Sequence, residues 1–335
     1  MKSLSVFFAA LTALAATDAL ALPPIEENSF AARPEVRAFV RDMVQRHAFK
    51  EAELLRVFKR AKREDAILDA IQAPPPNKAP SWEQYRNFFV SDRRIAAGLA
   101  FWYRNQEALE RARRLYGVPE EFIVAIIGVE TFYGRNTGRW RVVDALSTLA
   151  FDYPPRAAFF RRELEDFFIY ARDVGVDSLS VKGSSAGAIG IPQFMPSTYL
   201  KYAVDFDGDG IADLVGSPTD AIGSVARFLK AHGWAAGELV QLDAKVDGED
   251  YRQYANDGPQ PRYALGDLAK AGIVPDSVAP ADELLATLVE LGNSDAPSEF
   301  RLGLQNFYVL TRYNRSYFYA SAVADLAKAL RTARE

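Results

Sequence analysis

The sequence predicts a mainly α-helical protein, of α+β class, with one small β-containing insertion. Three observations carry that expectation. Apolar residues recur at three- and four-residue spacings through 35–71, 91–116 and 157–174, the mark of amphipathic helices. Short β-prone runs, 239–242 and 285–291, are confined to a stretch rich in Asp, Gly and Pro turns between 238 and 300. The composition, 49% hydrophobic and 25% charged over 335 residues, is that of a globular chain long enough for several lobes around a large core.

Residues 1–21 read as a secretory leader. Lys2 supplies the positive start, no charge interrupts 3–17, and Ala19-Leu20-Ala21 is a small-x-small cleavage site. A membrane anchor is the alternative, but the run is short for a span and Asp18 closes it. No later stretch is apolar enough to cross a bilayer, so the expected product is exported, periplasmic and without a membrane anchor. There is no cysteine, which excludes disulfides, thiol nucleophiles and lipid attachment through a cysteine. A net charge of -4 with mixed signs argues against nucleic acid as a partner. Protein partners are not legible.

Helical periodicity fills the next segment through Val40, Met43, Val44, Leu54, Leu55, Phe58, Ile67, Leu68 and Ile71. Residues 73–80, with four prolines, break it as a loop. A second long helical run is expected from Ser91 to Tyr116. Together these make an N-terminal helical lobe over 33–117.

Residues 118–134 form the helix on which the rest depends. Pro119 suits its first turn, and Glu120 and Glu121 complement the positive end of its dipole. Phe122, Ile123, Ala125, Ile126, Ile127 and Val129 leave it apolar on nearly every side, so it must be buried. Glu130 stands at its far end. Desolvation there would raise its pKa towards the range a general acid needs. A salt-bridged or solvent-facing glutamate is the bland alternative.

Further helix is expected between 139 and 182, broken at Asp152-Tyr-Pro-Pro155. The segment 182–196 is then rich in Gly, Ala and Ser, with Ser184, Ser185 and Gln193 as its polar members. Small residues there let backbone approach backbone or ligand. Gly183-Ser-Ser-Ala-Gly187 also fits the nucleophile elbow, with Ser185 as nucleophile and His232 downstream. That motif needs a strand–turn–helix setting in an alternating α/β chain, which the helical periodicity contradicts.

Asp205, Asp207 and Asp209 with Gly210 and the Ile211 carbonyl match the front half of an EF-hand loop. Position twelve is Gly216 rather than glutamate, so the loop is not a regular EF-hand. Asp213 and Asp220 are both placed to complete the shell. Three carboxylates so close would repel one another without a cation, and calcium is the expected ion. The chain ends in Tyr308, Tyr313, Asn314 and Tyr317, suited either to sugar stacking or to core packing, and in a last amphipathic helix to about Arg331.

Taken together, six stretches resemble the exported lytic murein transglycosylases of the B type. They are Gly128-Val-Glu-Thr131 with Tyr133-Gly134, the small-residue run Gly183 to Gly190, Gln193-Phe-Met-Pro-Ser197, Asp220 to Ala226, Lys230-Ala-His-Gly-Trp234 and Thr311-Arg-Tyr-Asn314. The resemblance runs from about residue 33 to the C-terminus. It implies a lysozyme-like core over 118–237, a small β lobe over 238–300 and a return to the core over 301–335. It also implies cleavage of the β-1,4 bond between N-acetylmuramic acid and N-acetylglucosamine of peptidoglycan glycan strands, leaving 1,6-anhydromuramoyl ends. Glu130 matches the single acid/base. Ser184 and Gln193 match polar groups near the reacting sugar, and Phe194, Met195, Tyr313 and Asn314 match groove residues. Asp205, Asp207, Asp209, Ile211 and Asp220 match a structural calcium loop, although the loop here is one residue longer between Asp213 and Asp220. No cofactor for catalysis is implied. An ordinary glycosidase would need a second carboxylate, for which Asp144 and Asp152 are the candidates. A hydrolytic muramidase and a non-enzymatic wall-binding module are the competing readings.

Overall fold

The computed structural model describes residues 29–71, 79–278 and 281–335. The leader expected over 1–21 and most of the proline loop expected over 73–80 lie outside these residues. Three helices, α1 (Pro34–His47), α2 (Glu51–Arg60) and α3 (Asp65–Ala70), occupy the first periodic segment. Periodicity does not anticipate helix α4 (Trp82–Phe89). A capping box starts it: Ser81 accepts from the Gln84 N–H while the Gln84 side chain accepts from the Ser81 N–H. The expected run from 91 to 116 is two helices, α5 (Asp92–Arg104) and α6 (Gln106–Tyr116), because Asn105 leaves helical geometry at φ -117°, ψ 22°.

Helix α7 (Glu120–Thr131) lies at the centre, with Ile123 to Ile127 wholly buried. Pro119 precedes its first turn as the N-cap. Glu120 and Glu121 are themselves buried and do more than face the dipole. Glu120 accepts from Trp102 Nε1 at 2.7 Å and pairs with Arg113 and Arg334, while Glu121 pairs with Arg331 at 2.8 Å. The helix start is thereby tied to α6 and to the C-terminal helix α14 (Tyr317–Arg334).

After α7 come a two-stranded antiparallel ladder, β1 (Trp140–Arg141) with β2 (Lys182–Gly183), and between its strands α8 (Val142–Asp152) and α9 (Ala157–Val174). Helices α10 (Pro196–Tyr202), α11 (Pro218–Ala231) and α13 (Gln305–Tyr313) complete the helical body. One continuous core joins α1 through α11 with α13 and α14.

The β-rich stretch folds as one antiparallel sheet, β3 (Gln241–Val246), β4 (Tyr263–Ala264), β5 (Ile273–Pro275), β6 (Leu285–Leu291) and β7 (Glu299–Gly303), in the order β4-β6-β7-β3-β5. It has its own small core of Leu265, Leu268, Ile273, Ala286, Leu288, Leu302 and Leu304. Helix α12 (Leu265–Lys270) contributes the first two of these. An antiparallel sheet at one end of a helical body is the α+β arrangement. It lacks the strand–turn–helix frame of a nucleophile elbow: residues 184–195 form successive turns, and His232 ends α11 with Nδ1 at 2.8 Å from the Phe228 carbonyl oxygen.

One contact sets how α7 ends. The Tyr133 ring lies between Gly98 of α5 and Gly128 of α7, and a Cβ at either glycine would fall 2.4 Å and 2.7 Å from the tyrosine oxygen. Its hydroxyl donates to the Arg94 carbonyl at 3.0 Å, so the ring cannot retreat. Gly128→Ala should therefore destabilise the fold by at least ~2 kcal/mol through overpacking. Thermal melting checks this; an unchanged Tm would mean that the ring has room to move.

Candidate active site

Helix α7 closes with a backbone turn that few side chains tolerate. Phe132 and Tyr133 are both left-handed, at φ 51° and 61°, before Gly134 at φ 83°. Consecutive non-glycine residues in that region are costly, and such strain concentrates at functional sites. Thr131 pins the turn in place. Its hydroxyl donates to the Ile191 carbonyl at 2.8 Å and accepts from the Gly134 N–H at 2.9 Å. The helix end is thus joined to the small-residue segment, and Glu130 is held over the junction.

Glu130 keeps part of its surface open, but its carboxyl is closely packed. Burial pushes its pKa up to about 7, and a hydrogen bond from Tyr319 opposes the rise. That bond, from Tyr319 Oη to Glu130 Oε1, measures 2.6 Å. Two more phenols lie within the field of the carboxylate. Tyr85 of α4 is pushed up to about 12 by burial and then by Glu130; Tyr313 of α13 is raised by the same two causes. The Tyr313 and Tyr319 rings stack at 6.4 Å, and Tyr313 donates to the Pro192 carbonyl at 2.6 Å. Sequence reading singles out Tyr313 but misses Tyr85 and Tyr319. Aromatic residues on amphipathic helices read as core, and nothing local sets these two apart.

The two candidate partner carboxylates are engaged elsewhere. Asp144 is 3% exposed and accepts from the Lys62 N–H at 2.9 Å and Arg141 Nε at 2.6 Å. Asp152 is bound by Arg33 at 2.9 and 3.0 Å. Burial and the Tyr319 hydrogen bond are what shift the ionisation of Glu130.

The small-residue segment, joined to the end of α7 through Thr131, is a stack of tight turns. Ser184 Oγ accepts from the N–H groups of Ala186 and Ala188 at 3.3 and 3.0 Å, which leaves its own proton uncommitted. Gln193, left-handed at φ 52°, donates its amide to the carbonyls of Thr137 and Gly190 at 3.0 and 2.8 Å. It therefore binds the loop after α7 to the turn before it. Phe194 is 2% exposed, packed against Phe228 and Tyr313. This corrects the expectation of a groove-lining side chain: the ring is backing, because the Ile189–Phe194 bridge turns it into the core. Met195 is half-buried as the N-cap of α10, and Asn314 is exposed at the end of α13 with Oδ1 accepting from the Ser316 N–H. Tyr308 and Tyr317 face the β-rich part. The Tyr308 hydroxyl accepts from Gln260 at 3.4 Å, and the Tyr317 ring stacks on Phe307.

In the acidic loop, carboxylate oxygens of Asp205, Asp207 and Asp209 lie within 4.8 Å of one another. Three backbone amides, led by Gly210, hold the Asp205 carboxyl below the usual carboxylate range, so it presents full negative charge. Such an all-oxygen anionic cluster suits a hard cation. Asp220 has a different position from the one expected of a ligand. It is fully buried, and its oxygens accept from the N–H groups of Phe206, Asp207 and Asp213 at 2.7, 3.1 and 2.8 Å. It clasps the loop from behind, because α11 brings it in on the core side. The Ile211 carbonyl accepts from the Asp213 N–H at 3.1 Å, and Asp213 accepts from the Val215 and Gly216 N–H groups.

Residues 31–328 match the family model described as Transglycosylase SLT domain. The chain belongs to this transglycosylase family. It is 42% identical over 315 residues to membrane-bound lytic murein transglycosylase B of Escherichia coli K12, covering 92% of this chain and 85% of the relative. The solved structure of soluble lytic transglycosylase SltB1 from Pseudomonas aeruginosa superposes with a TM-score of 0.84 at 48% identity, covering 90% of this chain and 99% of that one. Escherichia coli lytic transglycosylase Slt35 in complex with calcium gives 0.80 at 42% identity, with coverage of 91% and 95%. The transglycosylase therefore shares the lysozyme-like, mainly helical fold of these enzymes, and no helix among its described residues is long and apolar enough to cross a membrane.

Proposed function

We propose that this chain is a peptidoglycan lytic transglycosylase in which Glu130 acts first as acid and then as base. The observation that carries the reading is one carboxyl, raised to about 7 by burial, with the Tyr319 phenol as its hydrogen-bond partner. Glu130 gives its proton to the glycosidic oxygen leaving C1 of N-acetylmuramic acid, and the C1–O bond breaks. The sugar's N-acetyl group stabilises the developing cation. The 6-hydroxyl oxygen then bonds to C1, its proton passes to Glu130, and a 1,6-anhydro end remains. Water is not consumed, so no second carboxylate is required. Ser184 and Asn314 reach the glycan with polar groups, and Met195 and Tyr313 offer apolar surface. Gln193 keeps the turns beneath the sugar in register, with Phe194 behind them.

Calcium is the ion we assign to Asp205, Asp207 and Asp209, completed by the Ile211 carbonyl, with Asp220 supporting the loop. Its role is structural: it neutralises the cluster and fixes the segment before α11. The leader-like start and the wall substrate support export to the periplasm, with glycan strands as the partner.

The test is mass spectrometry of muropeptides released from purified peptidoglycan. Products one water lighter than those of a muramidase support the reading, and fully hydrated reducing ends would replace it with hydrolysis.

Two pH-linked outcomes follow. Because the acid must start protonated and titrates at about 7, kcat/KM should fall as pH rises above 7, approaching tenfold per pH unit. Tyr319→Phe removes a bond that favours the ionised form. The Glu130 pKa should then rise, and the alkaline limb should move to higher pH. A pH–rate profile of the variant checks the direction, and a shift to lower pH would refute the role given to the phenol.

A further inference from the structure

Tyr85 stands within the field of Glu130 on a helix of only eight residues, α4. No hydrogen bond among the described residues engages its hydroxyl, so its place depends on how α4 is seated. The start of the helix hangs on the β-rich part: the Trp82 N–H donates to the Gly292 carbonyl at 2.9 Å and the Glu83 N–H to Asn293 Oδ1 at 2.8 Å. Its body rests on one face of α14. The Phe318 ring lies 5.4 Å from that of Trp82 and 5.6 Å from that of Tyr85. Two turns further along the same face, Asp325 accepts from Arg86 Nε at 2.6 Å. Gln241 of β3 donates to the other Asp325 oxygen at 3.5 Å, while Arg301 of β7 and Asp243 of β3 act on the carboxyl with opposite signs.

Arg86 and Asp325 also line a cavity of about 840 Å³ between α14 and β3. Side chains do not fill that space, so on this side the ion pair, rather than packing, fixes how α4 stands against α14. A partly exposed pair contributes little net stability, and its value lies in geometry. Six positions before Asp325, about 9 Å along the same helix, Tyr319 donates to Glu130. One position before Arg86 stands Tyr85, which lies in the fields of both Glu130 and Tyr319. The pair therefore joins the two helices whose phenols surround the acid. From this geometry we infer that Arg86 and Asp325 are positioning residues for Glu130: by fastening α4 to α14 they keep Tyr85 in the enclosure of the carboxyl and water out of it. Three phenols face that carboxyl, Tyr319 of α14, Tyr313 of α13 and Tyr85 of α4, and from α5 Arg94 donates to the nearby Gly128 carbonyl.

The inference rests on the lytic reading above for its rate assay. The test is the pH–rate profile of anhydro-product formation by Arg86→Gln/Asp325→Asn. That double change removes one charge of each sign and leaves no buried charge unpaired, so the fold is spared and the net field at Glu130 is little altered. A looser α4 lets water reach the carboxyl, and the desolvation of Glu130 then weakens. Its pKa should fall, and the alkaline limb should move to lower pH, the direction opposite to that expected of Tyr319→Phe. At the same time kcat should drop roughly ten- to a hundredfold, the scale of a misplaced catalytic group, with KM unchanged. Arg86→Lys keeps a cation within reach of Asp325 and should restore most of the wild-type limb. Titration of the Glu130 carboxyl by carbon NMR, its signal identified by loss in Glu130→Gln, should show the same shift without any turnover. An unmoved limb and an unmoved titration in the folded double variant, or a loss confined to KM, overturn the pair. Hydrated reducing ends from the wild-type chain would remove the lytic reading, and the carboxyl titration would still decide the pair.

Discussion

Glu130→Gln will leave a folded protein that binds glycan strands and releases no anhydromuropeptide. The amide preserves shape and can still accept from Tyr319, but it has no proton to give and cannot take one back. Asp144 and Asp152, the other candidate carboxylates, are held by the Lys62 amide, Arg141 and Arg33, so neither is placed to take over the role. Turnover should fall by at least ~10³-fold, the scale of a lost general acid. The comparison is made by mass spectrometry of released products, with a glycan-binding assay to show that the groove survives. Substantial residual turnover would move the acid elsewhere, and Asp144 and Asp152 would be the next substitutions. The same change should also stabilise the protein in alkaline buffer. A carboxyl whose folded pKa is raised contributes its stability below the unfolded value and loses it as pH rises through about 7. The uncharged amide carries no such penalty, so the melting temperatures of wild type and variant should separate as pH rises from the ordinary value of 4.5 to about 7 and stay apart above it, the variant being higher.

Withdrawal of the proposed calcium should be the second large effect. Asp205, Asp207 and Asp209 point oxygens at one small volume, and without a cation their repulsion falls on the loop that leads into α11. Helix α11 packs on α6 and α7, so the disturbance reaches the central helix. A ligand at one hundred times its dissociation constant stabilises by ~2.7 kcal/mol, which in a chain of this size lowers Tm by roughly 5 °C when the ion is withdrawn. Calorimetry with and without chelator measures it. Asp205→Asn should melt near the chelated value and no longer respond to added calcium. A wild-type Tm indifferent to chelation would end the assignment.

Much of the fold is legible because burial leaves a periodic trace. The run from Phe122 to Val129 is apolar on all sides, which only a central helix satisfies, and α7 is that helix. The β-rich stretch is visible in its turn residues and in Leu285–Leu291, which forms β6. Breaks inside helical runs are not visible. Asn105 divides a segment whose apolar spacing continues past it, and the capping box at Ser81 speaks only for the helix that follows. In the candidate site, motifs point to the residues on turns, since turns need particular residue types. Tyr85 and Tyr319 carry no such signature, because their importance comes from where two distant helices bring them. Phe194 and Asp220 mislead for a related reason: a spacing fitting for a ligand or a groove wall fits equally a backing ring or a clasp, and only burial separates the two.

The bond between Tyr319 and Glu130 spans 189 positions of chain. A polypeptide emerging in order from its N-terminus therefore presents the glutamate long before the phenol that governs it. Until the final helix has docked on α7, the carboxyl lacks its phenol partner and the part of its enclosure that α14 supplies, and it is that enclosure which raises its pKa. On the proposed reading, the acid is completed only as one of the last events of folding. Chains cut short before α14 should be inert whatever else they retain.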